Sequence, residues 1–463
     1  MNDPKQHSAP LSASRLSSDY HDLHGHVFYR RMAHARPMIA YGEGIYLYDT
    51  NGQRYIDASG GPVLVNIGHG VTEVAQAMAA QAHAAAYVHA TMFTSQAIED
   101  YSAALAEVTP LLNPRFFYLG SGSEAVETAL KFARQVQVER GEAGRYQIIS
   151  RWLSYHGTTL GTLAVSGRPG MRQLYQPMLP QTPHIVAPYC YRCPFGLTYP
   201  DCGLRCAYAL EEAIKLHGPQ TIAAFIAEPI SGATLGAVVP PPEYWPLIRQ
   251  ICDRYGLLLI ADEVMTGLGR AGYWYAMQTW AVEADVITVA KGAAGGYFPL
   301  SFMAVKTSDV QTIRAGRGDF NHGGTFSHHA VGAAAGLAVL RYIQQYDLVK
   351  AAREQGEKLG QKLRTALGDH PHVGNIRGQG LMWGLEFVAD RASKAPFPAQ
   401  RGLARKLEDV AFARGLIIYP GSGCADGQAG DHVMVAPPFI VTDEQLDEIV
   451  GLLKESVEEA LAG

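Results

Sequence analysis

The sequence predicts an α/β protein: a large domain with a mostly parallel central sheet covered by helices, plus a smaller α/β domain. Three observations carry that expectation. Short runs apolar on both faces alternate with amphipathic helical stretches, the pattern of a parallel sheet covered on both sides. The chain has 463 residues, 48% hydrophobic and only 17% charged, so it can bury a large core and is not disordered in bulk. The alternation also restarts after an Ala-rich stretch following Ala330, which marks a second unit.

Taken in order, residues 1–20 read as a polar leader. Residues 41–57, YGEGIYLYDTNGQRYID, read as a hairpin, with Asn51-Gly52 as a type I′ turn signal. Thr72–Ala86 and Ser95–Val108 read as amphipathic helices. Strands follow at Arg115–Leu119, Gln147–Ser150, Ile222–Ala227, Leu257–Ala261 and Val286–Ala290. Helices at Ser123–Glu139, Leu204–Leu216 and Glu243–Tyr255 separate them. The second unit reads as helix Val349–Leu367, strands at 381–388, 416–419 and 432–436, and a closing helix over 442–461. The expected division is 1–70 as an N-terminal segment whose hairpin joins the small domain, 71–333 as the large domain and 334–463 as the small one.

Composition excludes several classes. The net charge is −5 with no basic stripe, so nucleic acid and anionic membrane are poor partners. No apolar run approaches the roughly 18 residues of a membrane span. MNDPKQHSAPLSASRLSSDYHD lacks the apolar region of a secretory signal, and six cysteines in so long a chain do not make a disulfide scaffold. A cytoplasmic location is expected.

In open α/β sheets ligands sit beyond the carboxyl ends of the strands, so the residues there are the candidates. RFFYL runs into Gly120-Ser121-Gly122-Ser123 and a helix, AAFIA ends at Glu228, LLLIA at Asp262 and VITVA at Lys291. A glycine-serine turn opening a helix suits a phosphate; its plain alternative is a tight turn with Ser123 as N-cap. Gly120-x-Gly122-x-x-Ala125 also fits a dinucleotide fingerprint, but the next strand ends at Ser150-Arg151 instead of an acid, so only a nicotinamide cofactor with a 2′-phosphate would fit. Lys291 at the end of an apolar strand is placed for a desolvated, nucleophilic amine; a snorkelling surface lysine is its alternative. Asp262 alone could be a cap. Together a lysine, a carboxylate and a phosphate cup are the parts that pyridoxal phosphate requires.

With LLLIADEVMTGLGRAGYWYA, DVITVAKG, GSGSEAVETALKFAR, YHGTTLG, AEPISG and HGGTFSHHAVGAAAG in this order over about residues 40–460, the chain resembles the class III aminotransferases. These are pyridoxal-phosphate enzymes of fold type I that include the ω-transaminases. The resemblance implies a ping-pong transfer of an amino group from an amine or ω-amino acid to a 2-oxo acid, with pyruvate as the expected acceptor. It implies that Lys291 carries the cofactor as an aldimine and moves the proton, and that Asp262 pairs with the ring nitrogen. Ser121, Gly122 and Ser123 would bind the phosphate, Tyr155 and Val264 would cover the two ring faces, and His156 and Gly157 would sit in the same turn. Glu228 would orient the far side of the site. Thr325 would reach the phosphate of a second subunit, since sites in this family lie at a homodimer interface; a tetramer is a further option, and a bare N-cap is the alternative for Thr325. An aminomutase or a decarboxylating transaminase shares the same cofactor set.

The sequence departs from several relatives where they bind a substrate carboxylate. Met434 and Tyr419 stand where arginines are used, Ala233 replaces an acid, and Met265 replaces a glutamine. The expected donor therefore has an apolar or merely polar far end, lined by Tyr419, Met265, Met92 and Phe93. A carboxylated donor would need Arg151, Arg30 or Arg31. The glycine-rich insert at 421–430 is expected near the pocket mouth. Cys190, Cys193, Cys202 and Cys206 have tolerable zinc spacing, yet the intervening loop is short and the expectation is free thiols with no metal. His322, His328 and His329 are read as polar lining around Thr325.

Overall fold

The computed structural model describes residues 26–31 and 36–462; the leader expected over 1–20 lies outside them. The chain opens with strands β1 (Ile39–Glu43), β2 (Tyr46–Asp49) and β3 (Arg54–Asp57). The hairpin between β2 and β3 forms, but not through a type I′ turn. Gly52 has φ +80°, while Asn51 is not among the positive-φ residues. The Asp49 carboxylate holds the turn by accepting from the amides of Asn51 and Gln53, both at 2.9 Å.

The large sheet consists of β4 (Pro114–Leu119), β5 (Gln147–Arg151), β6 (His184–Ile185), β7 (Ile222–Ala227), β8 (Leu258–Asp262), β9 (Val286–Val289) and β10 (Ser301–Lys306). Its order is β4-β10-β9-β8-β7-β5-β6. Only β10 runs against its neighbours, so the sheet is mostly parallel, and β7, β8 and β9 are buried along their whole length. Sequence reading did not anticipate β10 (SFMAVK), which follows β9 after a short turn through Lys291–Ala293.

The second unit contains β11 (Val373–Gln379), β12 (Met382–Phe387), β13 (Leu416–Ile417), β14 (Tyr419–Ser422) and β15 (Asp431–Val435), with closing helix Asp443–Ala462. β11, β12, β15 and β14 form one antiparallel sheet. β13 instead pairs in parallel with β3, so the N-terminal hairpin shares a sheet with a C-terminal strand. The insert at 421–430 is a closed turn: Gly423 and Cys424 amides donate to the Gly430 carbonyl, and the Gln428 and Ala429 amides donate to Asp426.

Two polar clasps tie these parts together. Buried Arg270 donates to the carbonyls of Leu381 (2.9 Å), Pro437 (2.6 Å) and Val65 (3.3 Å) and stacks over Phe439. One guanidinium therefore satisfies acceptors from three separate stretches of chain. Fully buried Glu386 on β12 accepts from Arg192 (2.5 Å), from Arg377 on β11 (2.8 Å) and from the Tyr189 hydroxyl. Arg377 in turn donates to the carbonyls of Leu235 and Gly236, in the stretch that follows β7. A buried carboxylate is stable only with such partners.

Close approach also depends on glycine. On helix Leu348–Leu367, a Cβ at Gly356 would overlap the carbonyl oxygen of Gly380, whereas a Cβ at exposed Gly451 on the closing helix meets nothing within 4 Å. Alanine is favoured over glycine in helices by about 1 kcal/mol. Gly451→Ala should therefore raise the thermal midpoint, while Gly356→Ala should lower it through overpacking worth about 1–3 kcal/mol. Thermal unfolding of both variants checks this, and equal stabilisation by both would show that the Gly356 contact yields.

Candidate active site

The strand ends gather around one cavity of about 260 Å³. Its walls include Gly120, Ser121, Gly122, Ser123, Tyr155, His156, Gly157, Asp262, Val264 and Lys291, with Leu64, Ala290, Phe298, Pro299 and Leu300. Nine of the residues expected from the sequence thus face one space. The last five carry no chemical signal in the sequence; Ala290 adjoins Lys291, while Leu64 and Phe298–Leu300 come from segments that only folding brings to the sheet edge.

The glycine-serine turn leads from β4 into helix Gly122–Glu139. Ser121, not Ser123, is the N-cap: its hydroxyl accepts from the Glu124 amide at 3.3 Å. Ser123 is left to accept from the Thr158 amide at 3.1 Å, which joins this turn to the one carrying Gly157. Gly157 has φ +140°, and a Cβ there would come within 2.6 Å of the Ser123 hydroxyl. A Cβ at Gly122 would press on Val264 at 3.0 Å. The result is a cradle of backbone and hydroxyl donors at a helix N-terminus, the arrangement that attracts a phosphate.

Asp262 closes β8 and is buried. A carboxylate has no proton to give, so His156 Nδ1 donates to Asp262 Oδ2, at 2.6 Å. The Val264 amide (3.1 Å) and the Thr288 hydroxyl (3.3 Å) donate to Oδ1. Glu228 lies deeper than the cavity wall. Its Oε1 accepts from the Gly232 amide at 3.3 Å and its Oε2 has no partner. Burial pushes its carboxyl up, against the pull of His156 and Arg151.

Lys291 follows β9 at φ +46°, a left-handed turn that swings the residue out of the strand. Burial lowers its ammonium to about 8, although Asp262 and Glu228 pull the other way and Arg270 adds to the lowering. An amine held there is still mostly protonated at neutral pH, but its neutral, nucleophilic fraction is far larger than that of an exposed lysine.

Other expected residues lie elsewhere. Thr325 is exposed and outside this cavity; it is not an N-cap either, since His329 holds that position for helix Ala330–Gln345. Arg151 is fully buried and donates to the Glu228 carbonyl at 2.5 Å, so it reaches neither a substrate nor a nucleotide 2′-phosphate. Arg31 is paired with Glu408 at 2.8 Å. Met92 is exposed, and Phe93 lines a different cavity together with Tyr118 and His328. Met434 is buried opposite Tyr419 in the β14–β15 pair. Cys190, Cys193, Cys202 and Cys206 line one small cavity of about 20 Å³. Burial raises the thiols of Cys190 and Cys206, the latter to about 11. Among the described residues no group of three or more His, Cys, Asp or Glu is gathered to hold a metal ion, and no helix is long and apolar enough to cross a membrane.

Comparison with known proteins agrees with this geometry. The family model for aminotransferase class-III matches residues 28–457. An uncharacterised aminotransferase of Bacillus subtilis, YodT, is 38% identical over 92% of this chain and 96% of its own. The putrescine–pyruvate aminotransferase of Pseudomonas aeruginosa is 32% identical over 92% and 91%. Among solved structures, a thermostable (S)-enantioselective ω-transaminase from Thermomicrobium roseum superposes with a TM-score of 0.88. It shares 35% identity, over 95% of this chain and 97% of that one. The mostly parallel sheet with helices and a second smaller sheet is the fold type I architecture of these enzymes. With the family model spanning nearly the whole chain and relatives well above 30% identity, this protein belongs to the class III aminotransferases.

Proposed function

We propose that this protein is a pyridoxal-phosphate-dependent transaminase that moves an amino group from an amine or ω-amino acid to a 2-oxo acid, with pyruvate as the acceptor. The observation that carries the proposal is Lys291, its amine lowered to about 8, sharing one cavity with Asp262 and with the glycine-serine cradle. The residues present fit the cofactor: a nucleophilic amine for its aldehyde, a buried carboxylate for its ring nitrogen, and a helix N-terminus whose Gly122 and Gly157 leave room for phosphate oxygens. When bound, pyridoxal phosphate supplies an electron sink that weakens the C–H bond on the amine-bearing carbon.

The chain's own groups do the rest. Ser121, Gly122 and Ser123 anchor the phosphate, and Tyr155 and Val264 cover the two ring faces. Asp262, held in place by His156, keeps the ring nitrogen protonated. Glu228 shapes the electrostatics on the far side. Lys291 Nζ would carry the proton removed from the substrate carbon, and its lowered basicity enlarges the neutral fraction available for that role near physiological pH. The P. aeruginosa relative, named for putrescine and pyruvate, supports an amine donor with pyruvate as acceptor. An aminomutase or a decarboxylating transaminase is distinguished by product analysis. A nicotinamide enzyme is disfavoured because Arg151 is buried on the Glu228 carbonyl.

We further propose a homodimer with shared sites. Tyr87, Met92, Phe93 and Phe326 are large apolar side chains left 43–72% exposed, and exposed Thr325 lies beside Phe326. The pairing of β3 with β13 supports the division 1–70, 71–333 and 334–463, with the N-terminal hairpin joining the small domain. A cytoplasmic location completes the reading.

Covalent reloading of the apoenzyme should accelerate through about pH 8; an ordinary lysine near 10.4 would be only about 0.4% neutral there. Lys291→Ala should abolish this reloading and turnover. Borohydride reduction and peptide mapping should place the cofactor on Lys291, and a label elsewhere would overturn the assignment. Asp262→Asn should retain cofactor while kcat falls on the order of 10²-fold, as when one preorganised charge contact is lost; near-normal turnover would make Asp262 merely structural. Thr325→Ala should weaken cofactor retention in the dimer, measured by dialysis and absorbance. A fully active monomer in ultracentrifugation would refute the shared site.

A further inference from the structure

Lys291 has φ +46°, in the left-handed region that disfavours any residue with a Cβ. A residue stays there only where its surroundings over-determine it. The constraint comes from what grips the chain just after it.

Residues 291–300 form one strap. Lys291 stands at its start and Phe298, Pro299 and Leu300 at its end, and both ends face the same cavity. Within the strap the Ala293 amide donates to the Ala290 carbonyl at 2.8 Å, which closes the turn around Lys291. Side chains from two distant stretches then hold consecutive carbonyls. Asn66 Nδ2 donates to the Gly292 carbonyl at 3.2 Å. The Tyr101 hydroxyl donates to the Ala293 carbonyl at 3.1 Å. Farther along, the Tyr297 hydroxyl donates to the Gly68 carbonyl at 3.0 Å and accepts from the Val71 amide at 2.8 Å.

Both holding groups are themselves fixed. Asn66 is buried, and its own carbonyl accepts from the Phe439 amide at 2.7 Å, in the chain that follows β15. The adjoining Val65 carbonyl accepts from Arg270. Glycines let the strap come this close: a Cβ at Gly292 would lie 3.0 Å from Asn66 Nδ2, and one at Gly295 would lie 2.7 Å from Asn66 Oδ1. That Oδ1 has no partner among the described residues, so the bond to Gly292 is the one hydrogen bond the side chain makes there. Tyr101 is fully buried on helix Gln96–Val108. Its ring stacks on Tyr118, with centroids 5.4 Å apart, and meets Phe302 of β10 edge-on. A Cβ at Gly336 would come within 2.6 Å of the ring, so helix Ala330–Gln345 backs it. A buried carbonyl that loses its donor bears the full cost of desolvation, so these two bonds fix two successive peptide planes immediately after Lys291.

We propose that Asn66 and Tyr101 are positioning residues for Lys291: by gripping the Gly292 and Ala293 carbonyls they hold its left-handed turn and so aim Nζ into the cavity. This rests on the transaminase reading above and deepens it. Neither side chain lines the cavity, so each acts through the strap. With the grip loosened, Lys291 relaxes toward an ordinary backbone conformation and toward solvent. The burial that holds its ammonium at about 8 then weakens, while Asp262, Glu228 and Arg270, the charged groups that act on it, stay in place.

The test uses Asn66→Leu, which keeps the size of the side chain and removes the donor, and Tyr101→Phe, which deletes one hydroxyl. Tyr275→Phe is the control: it deletes an equally buried hydroxyl whose bond goes to Thr109, away from the strap. The first readout involves no turnover. Covalent reloading of the apoenzyme with pyridoxal phosphate is followed by absorbance as a function of pH. Its midpoint should move up by about half a pH unit in Asn66→Leu and in Tyr101→Phe, which slows reloading near neutral pH roughly threefold. It should stay in place in Tyr275→Phe. The second readout is steady-state kinetics of the loaded enzyme. In both strap variants kcat should fall about ten- to hundredfold, as for a misplaced reacting group, with KM for the amine within about twofold of the parent. Thermal unfolding of all three variants reports the structural damage. Lower thermal midpoints with the reloading midpoint and kcat unchanged would make Asn66 and Tyr101 structural only and overturn the proposal. An equal fall of kcat in Tyr275→Phe would overturn it as well. Should Asn66→Leu fail to fold, Tyr101→Phe decides alone. Failure of the wild-type enzyme to transfer an amino group from any donor would instead overturn the transaminase reading, and the reloading midpoints would still judge the grip on Lys291.

Discussion

The rest of the site depends on one buried contact, His156 Nδ1 to Asp262 Oδ2 at 2.6 Å. A carboxylate at the end of an apolar strand is costly to bury unless donors surround it. Asp262 has three: the imidazole, the Val264 amide and the Thr288 hydroxyl. They orient it toward the cavity and allow β8 to stay apolar up to its last residue. They also tie the turn carrying Tyr155, His156 and Gly157 to the centre of the sheet. That turn is joined to the helix N-terminus through Ser123 and Thr158. One connected path of hydrogen bonds and backbone thus runs from Asp262 to the glycine-serine turn at the helix N-terminus.

Charge in this pocket is balanced by competition between burial and neighbours. Burial lowers Lys291 and raises Glu228; the charges of Asp262 and Glu228 oppose the shift of Lys291, and those of His156 and Arg151 oppose the shift of Glu228. The dry setting that makes the lysine a usable nucleophile is therefore the same one that makes the acids expensive. Gly232, donating to Glu228, belongs to a stretch whose Leu235 and Gly236 carbonyls are gripped by Arg377, itself held by Glu386 on β12. Strands of the second unit thereby support an acid beneath the cavity of the first. Arg270 makes an analogous link, joining Val65, Leu381 and Pro437.

Much of this was legible in the sequence because it is local. Ile222–Ala227, Leu257–Ala261 and Val286–Ala290 announce themselves as nearly continuous apolar runs, and the polar residue that follows each, Glu228, Asp262 or Lys291, is the one that matters. Gly120–Ser123 can be read because strand, turn and helix are contiguous. Less visible were β10, SFMAVK, and β11, whose VGNIRGQ has the composition of a loop and is a strand only because β12 pairs with it. The cap was placed two residues late, at Ser123, because both serines can cap and only backbone geometry selects Ser121.

Alone, the sequence determined the class of architecture, the order of elements and the set of polar residues at the strand ends, since periodicity and short motifs depend on neighbours along the chain. Tertiary structure decided which of several chemically equivalent residues are free to act. Arg31 and Arg151 are indistinguishable as letters. Folding buries Arg151 against a carbonyl and pairs Arg31 with Glu408. It likewise leaves Thr325 outside its own chain's cavity and gives Lys291 the left-handed turn that frees it from β9. Those outcomes depend on contacts between residues far apart in sequence, where desolvation and pairing, not composition, decide what a side chain can do.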